Sequence, residues 1–527
     1  MSPLVFLAAH VAHVALAAPA APAAPAAPDQ PADAAPAGTA PGLPADAVFA
    51  FVMVDRFADG ADNAPDVVPG HPRRFQGGDL AGLRQRLPYL QRLGVTHLWI
   101  TPVARQRGGL VGDGDDATAA YHGYWPADLR GVDPHFGTLD DLRHLTDDAR
   151  GAGIAVVLDV VVNHLGYGAA DPDGLLRERC GDTERDQCLF GLPDLRTEDP
   201  AVRAAVVERS LEPVRAAGIA GFRIDAIKHV DAALPVALRT AARAARPGFV
   251  TIAEHWGAAP GDDVARALVD AGAADGVLDF SFRGLARDWV QGRLRSAAFA
   301  HHLLRRDAAL AAGPPMLAFL DNHDVETWAH AVGDRAALGA PLLLFDRAVP
   351  VVTWGTEVGR RGGAGDPANR TFQPWDTVDA AEADPRSSLH LWRRLIALRR
   401  AQDVSHAGSL SVVARDDHAD RRDDDADAAT RDRNAGADDD GFIVLRRALG
   451  GRQAFSALAR GRALVVALPV PRWARLLDVA ATFGGDARIV GEGPKPDGPA
   501  RLQLTVPADG SVTVVVADGD DIPGSPR

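Results

Sequence analysis

The sequence predicts an α/β protein: a (β/α)8 barrel of the TIM type, with a small inserted domain after its third strand and a C-terminal antiparallel β-sandwich. Three observations carry that expectation. Short apolar runs alternate with amphipathic stretches from about residue 46 to residue 403, the pattern of buried parallel strands shielded by helices. Three of the runs end in an acid: Asp225 in GFRIDAIKHV, Glu254 in FVTIAEHW and Asp324 in MLAFLDNHD. Beyond residue 404 the pattern changes to short β-branched runs punctuated by Gly and Pro, as in FIVLRRAL, RALVVALPV, ARIVGEG and RLQLTVPADGSVTVVVAD.

Residues 1–45 stand apart from the barrel. MSPLVFLAAHVAHVALAAPA has a short apolar stretch followed by small residues around Ala17 to Ala20, the form of a secretory signal, and Ala18 to Pro44 is an Ala/Pro-rich tether too poor in bulky residues to pack a core. Strands are expected at Val48–Val54, Thr96–Ile100, Ile154–Asp159, Gly221–Asp225, Phe249–Ala253, Val277–Phe280, Met316–Leu320 and Val349–Thr353, with helices between them. Two of those helices are Asp79–Gly94 and Thr138–Gly153, the second opened by a Thr cap and closed by glycine. The barrel thus takes residues 46–164 and 200–403. Residues 165–199 are too long and irregular for a simple loop and form the inserted domain.

That insert holds the only two cysteines, Cys180 and Cys188, which lack a second Cys or His pair at zinc spacing and fit a disulfide in an oxidising compartment. Residues 404–527 make the sandwich, interrupted by a charged, solvated stretch from Ala414 to Gly441. The signal and the cysteines together place the protein outside the cytoplasm, secreted or periplasmic.

A formal charge of −14 and a pI near 5.6 disfavour nucleic acid and anionic membrane as partners, and no segment has the roughly 20 apolar residues of a membrane span. A neutral polymer is the better partner, and a monomer is expected. Acids at the C-terminal ends of parallel barrel strands open onto one face. Asp225, Glu254 and Asp324 should therefore converge, and two carboxylates flanking a bond with a third nearby suit cleavage of a glycosidic linkage. Arg223, two residues before Asp225 on the same strand face, is placed to donate charge-assisted hydrogen bonds to it. A single acid at a strand end is usually a cap or an ion-pair partner; three in such contexts reverse that reading.

The short motifs DVVVNH (Asp159 to His164), LPDL (Leu192 to Leu195), GFRIDAIKH (Gly221 to His229), AEHW (Ala253 to Trp256) and FLDNHD (Phe319 to Asp324), with YHGYW (Tyr121 to Trp125) and GTE…GDPANR (Gly355 to Arg370), stand in one order from about Val48 to Arg400. In that order and spacing the chain resembles the α-amylase family of retaining glycoside hydrolases, and looks most like exported bacterial α-amylases. The resemblance implies a nucleophile at Asp225, a general acid at Glu254 and a third acid at Asp324. It implies sugar contacts by Tyr124, His122, His164, Arg223, His323, Asp366 and Arg370, with Tyr121 nearby and Trp125 left to the core. It also implies acceptor-side contacts by Lys228, His229, Phe190 and Trp256.

The same resemblance implies calcium held by Asn163, Asp194 and the carbonyl of His229. A second calcium loop is suggested by DGADN (Asp59 to Asn63) with Asp79, although Ala61, Ala64 and Pro65 stand where oxygen ligands belong. The expected activity is retaining endo-hydrolysis of α-1,4-glucosidic bonds in starch, glycogen and maltooligosaccharides, because the chain has no room for added starch-binding domains. Lys228 and Lys495 are the only lysines, which makes the Lys228–His229 pair look retained for its chemistry. Phe190 and Trp256 keep open a cyclodextrin-forming or cyclodextrin-degrading relative with transglycosylation. A non-catalytic glucan-binding protein is the alternative of another class.

Overall fold

The computed structural model describes residues 43–61, 64–171, 173–416, 440–471, 474–491 and 500–517. Positions 1–42 of the expected signal and tether, Asp62 and Asn63 of the second calcium loop, positions 417–439 of the charged stretch and Lys495 lie outside the described residues.

Eight parallel strands close a barrel: β1 Phe49–Val52, β2 His97–Ile100, β3 Ala155–Val160, β4 Gly221–Ile224, β5 Val250–Ala253, β6 Gly276–Asp279, β7 Met316–Phe319 and β8 Val349–Thr353. Each pairs with its neighbour in sequence, and β8 returns to β1 with Phe49 opposite Val351. The strands are almost wholly buried, which is why they read as continuous apolar runs with no polar alternation. The register sets Asp159 of β3 opposite Arg223 of β4, and Arg223 opposite Ile252 of β5. Side chains at the exits of β3, β4 and β5 are therefore neighbours.

The helix at Leu139–Gly151 opens on a capping box in which Thr138 and Asp141 exchange hydrogen bonds, as the sequence suggests. The stretch Asp79–Gly94, expected as one helix, is two: Leu80–Gln85 and Leu87–Leu93, broken at Arg86 because Pro88 can only enter the first turn of the second.

Among the described residues, 165–199 contain a single short helical turn at Leu189–Gly191 and are held by a Cys180–Cys188 disulfide and by bridges from His164 to Asp194 and from Leu176 to Leu195. After the barrel, two antiparallel sheets follow. One has the order β13-β16-β11-β10-β9, from Ser409–Arg415 (β9), Gly441–Leu449 (β10), Arg452–Arg460 (β11), Arg475–Ala481 (β13) and Gly510–Ala517 (β16). The other has the order β12-β15-β14, from Leu464–Val470, Ala500–Val506 and Asp486–Gly491. β9, β11 and β13 were not among the expected strands. A small core of Phe455, Leu468, Leu502, Leu504, Val512 and Val514 fills the space between the sheets.

The other face of the larger sheet joins the barrel core through Ile443, Leu445, Leu458 and Val515. The junction is also polar: buried Arg447 of β10 donates from Nε to Phe345 O at 3.0 Å and from Nη1 to Gly408 O at 2.8 Å, and pairs through Nη2 with Asp307 at 2.8 Å. Asp307 keeps Arg347 as a second partner. Replacing Arg447 by Met removes the donor to Phe345 O, leaves Gly408 O with Arg347 Nη2 alone (2.9 Å), and takes one of the two arginines from Asp307. The variant should lose about 3 kcal/mol, read as a lower urea midpoint with the single transition retained.

Candidate active site

The cleft is built on one guanidinium. Arg223, buried on β4, donates from Nη1 to both oxygens of Asp159 (2.8 and 3.0 Å) and to Asp225 Oδ1 (2.6 Å), and its Nη2 pairs with Glu254 Oε1 at 2.5 Å. Since the two η nitrogens of one guanidinium are about 2.3 Å apart, the bridged oxygens of Asp225 and Glu254 cannot be separated by more than about 7.5 Å.

The backbone reinforces the arrangement. Asp225 N donates to Val160 O, and Glu254 N to Ile224 O, so both acids continue the strand ladder past their strand ends. Ala226 then takes a left-handed conformation (φ 47°, ψ 41°), unusual for a residue with a side chain, and its N–H donates to Glu254 Oε2 at 2.9 Å. Gly221 at the start of β4 matters too: a Cβ there would meet Val250 O at 2.7 Å and push β4 off β5.

Asp324, the third acid, receives Arg370 Nη2 at 3.3 Å and lies 3.3 Å from His323 Nε2. Asp321, three residues earlier, is consumed internally by Thr356 Oγ1 and Trp328 N. Arg370 also donates to His323 O (2.9 Å) and pairs with Asp366 (3.2 Å), which in turn accepts from Tyr121 OH. Tyr124 stacks on His323 with parallel rings 5.1 Å apart and donates to Asp159 Oδ2 at 2.7 Å. His122 Nδ1 accepts from Tyr124 N at 3.0 Å.

Two expected sugar contacts sit differently. His164 uses Nε2 on Tyr124 O (3.1 Å) and Nδ1 beside the Asn163 amide (3.3 Å), so both ring nitrogens are engaged within the protein. Lys228 Nζ is paired with Glu184 Oε1 at 2.9 Å. Phe190 and Trp256 are exposed, at 82% and 49%, and Trp125, expected in the core, is half-buried against His122 and Tyr167. Asp159 and Trp99, whose Nε1 lies 3.3 Å from Asp159, belong to the cluster although the sequence pattern did not single them out. Asp159 carries the same signal as the other acids, a carboxylate closing a barrel strand. Asn369 was missed as well; it donates to His323 O and Val325 O and pins the loop bearing Asp324.

Electrostatics separate the acids. Burial pushes the Glu254 carboxyl up to about 8; Arg223 opposes the rise, and the charges of Asp225 and Asp324 add to it. Burial likewise lifts Asp159 to about 7 against Arg223. Asp324 is raised by burial, with Arg370 opposing. Burial, with repulsion from Arg370, lowers His122 to about 3 and His323 well below its ordinary value, so both histidines are neutral near pH 7.

The residues expected to hold calcium do meet. One edge of the Asn163 amide faces His229 O at 2.8 Å and Asp194 Oδ1 at 3.3 Å. With nitrogen on that edge the amide hydrogen-bonds both; with oxygen there, three oxygens face one another, a donor set that suits a hard cation. Only one of the three is a carboxylate, and Asp194 Oδ2 already pairs with Arg177 at 3.0 Å. Among the described residues no group of three or more His, Cys, Asp or Glu side chains could hold a metal. Asp79, expected in a second loop, instead accepts from Gly82 N at 2.6 Å and Ala61 N at 2.9 Å, closing its loop and capping the helix at Leu80–Gln85.

Comparison with known proteins points in the same direction as this geometry. The family model described as "Alpha amylase, catalytic domain" matches residues 51–174. A cyclomaltodextrin glucanotransferase of Klebsiella oxytoca is 29% identical over 325 residues, covering 52% of this chain and 48% of that protein, so the chain spans about half the length of this curated relative. An Anoxybacillus α-amylase structure superposes with a TM-score of 0.72 at 24% identity, covering 91% of this chain and 99% of that one. A cyclomaltodextrin glucanotransferase described as having a three-domain ABC distribution gives 0.70 at 21% identity, covering 90% and 99%. Over those stretches the chain is similar to the α-amylase family of glycoside hydrolases, and it shares the fold of solved α-amylases.

The raised carboxyls have a consequence for stability. Glu254 and Asp159 keep protons in the native state that the unfolded chain releases near pH 4, so their contribution is fully present below about pH 4 and is lost as pH rises through about 7 to 8. Tm should therefore fall across that window. Glu254→Gln should fall less, and should be at least as stable as the parent at pH 8 by calorimetry.

Proposed function

We propose that the protein hydrolyses internal α-1,4-glucosidic bonds of starch, glycogen and maltooligosaccharides with retention at the anomeric carbon. The observation that supports this most directly is the sharing of Arg223 by Asp225 and Glu254, with the Glu254 carboxyl pushed up to about 8. Glu254 is thereby protonated at neutral pH and able to give its proton to the leaving oxygen, while Asp225 attacks the anomeric carbon and holds the glycosyl group. Water, deprotonated by Glu254, then releases the sugar.

Arg223 fixes both acids so that little reorganisation is needed as charge moves. Asp324, with Arg370 and the neutral His323 and His122, would bind hydroxyls of the reacting ring and favour its distorted, positively charged form. The Tyr124 ring, braced by His323 and by His164 on its carbonyl, offers a flat face to the apolar side of a glucose ring. Asp366 and Arg370 would hold the next sugar on the non-reducing side, and Lys228, His229, Phe190 and Trp256 the sugars beyond the scissile bond.

Calcium, when bound by Asn163, Asp194 and the His229 carbonyl, would supply a cross-link between the exit of β3, the 165–199 segment and the chain after β4. Secretion is the reading that suits the N-terminal signal and the disulfide.

A second reading, glycosyl transfer with cyclodextrins as products or substrates, is supported by the exposed aromatic rings of Phe190, in the 165–199 segment, and Trp256, two residues after Glu254. The arrangement of barrel, insert and sandwich is compatible with it, since a glucanotransferase described as three-domain shares the fold over 99% of its own length.

Glu254→Gln should cut the release of reducing ends from soluble starch by about 10²- to 10⁴-fold; unchanged activity would remove Glu254 from its role, and an inactive parent would favour a glucan-binding protein. In the parent, kcat should fall as pH rises through about 8, where Glu254 loses its proton. Time courses on starch and β-cyclodextrin separate the two readings: linear maltooligosaccharides support hydrolysis, and rings or lengthened chains support transfer.

A further inference from the structure

A general acid must touch the oxygen that leaves, so the Glu254 side of the cleft is where the leaving sugar, and later the acceptor, resides. Two residues there differ in how free they are to meet it. His255 follows Glu254 directly, is half-buried, and its Nδ1 has no hydrogen-bond partner among the described residues. Lys228, three positions beyond Asp225, is the one lysine among the described residues, and its ammonium is held by Glu184 at 2.9 Å.

Glu184 lies inside the loop closed by Cys180 and Cys188. That loop is tied twice to the exit of β4: by the Glu184 carboxylate on Lys228 Nζ, and by the Glu184 carbonyl, which accepts from His229 Nδ1 at 2.8 Å. Internal bonds keep it compact, with Gly181 N donating to Asp186 O at 2.8 Å and Thr183 N to Asp186 Oδ1 at 2.7 Å. The Glu184 side chain remains 55% exposed, so a sugar can reach it, whereas Lys228 is mostly covered at 24%.

We propose that Glu184, presented by the disulfide-closed loop, is a specificity-determining residue on the leaving-group side: by occupying Lys228 it disfavours a sugar acceptor and biases the glycosyl-enzyme toward water. The inference rests on the glucan-hydrolase reading above and concerns only the second half-reaction. There an acceptor hydroxyl oxygen bonds to the anomeric carbon, the bond from that carbon to the Asp225 carboxylate breaks, and the acceptor proton passes to Glu254. A sugar acceptor needs donors to hold its hydroxyls, and Lys228 can supply them only if Glu184 lets go. An ammonium freed of its carboxylate offers a charge-assisted hydrogen bond to a neutral hydroxyl.

The test compares transfer with hydrolysis on concentrated maltotetraose, scoring products longer than the substrate against newly formed reducing ends. The Glu184→Ala variant should raise that ratio about three- to tenfold, Glu184→Gln should raise it less, and the Cys180→Ser/Cys188→Ser variant should move it in the same direction. Fluoride release from α-maltosyl fluoride, which places no sugar beyond the reacting bond, reports the donor side alone; its rate should change far less than the ratio. Ratios within twofold of the parent in all three variants would overturn the proposal, as would a shift matched by an equal loss of fluoride release. A parent inactive on maltotetraose would refute the glucan reading itself, and this inference with it.

Discussion

One buried guanidinium carries three carboxylates. Arg223 is 1% exposed and meets Asp159, Asp225 and Glu254, so a single positive charge faces three groups that would each be negative in water. Breaking a buried cluster of this kind is costly, since each abandoned charge keeps its full desolvation penalty. The deficit of positive charge is also useful. It leaves the cluster able to retain a proton, and burial together with the neighbouring carboxylates gives that proton to Glu254 in preference to releasing it. The raised Glu254 carboxyl, on which the proposed acid chemistry rests, thus follows from burial and this charge balance.

That cluster exists because of barrel geometry. Arg223 and Asp225 share a face through the period of two along a strand, Asp159 stands opposite Arg223 in the parallel register, and Glu254 continues the adjacent strand. The left-handed turn at Ala226 adds the last element, a main-chain N–H delivered to Glu254. The two sides of the cleft then differ in how they are held. On the Asp324 side, Arg370, Asn369, His323 and Tyr124 are locked by hydrogen bonds and ring stacking into the barrel. The Glu254 side is shaped by a disulfide-closed loop whose hold runs through Glu184, Lys228 and His229, with Phe190 and Trp256 open to solvent.

Much of this was legible in the residues. All eight barrel strands fall within a few positions of the apolar runs that announced them, because strands buried on both faces leave an unbroken signal. Asp225, Glu254 and Asp324 stood out because each closes such a run. Other features were hidden for physical reasons. β11 and β13 carry Arg, Gln, Ser or Asp among their apolar residues and lie in a sheet solvated in part, which blurs the alternation. The break at Arg86 follows from Pro88 but was masked by continuous helical periodicity. Partners far apart in sequence, such as Glu184 with Lys228 or Arg447 with Phe345 and Gly408, leave no local mark. His164 shows the limit of motif reasoning: it packs against Tyr124 at the barrel mouth, yet its ring nitrogens serve Tyr124 O and the Asn163 amide.

The configuration of the first-formed product puts the shared guanidinium to the sharpest test. With Asp225 and Glu254 held on one arginine, the proposed reaction has Asp225 bond to the anomeric carbon before water does, a double displacement. Proton NMR during the first minutes of starch or maltopentaose cleavage should show the α-anomer at the new reducing end, with the β-anomer appearing only through mutarotation. Initial release of the β-anomer would mean single displacement by water, and would contradict Asp225 as the nucleophile.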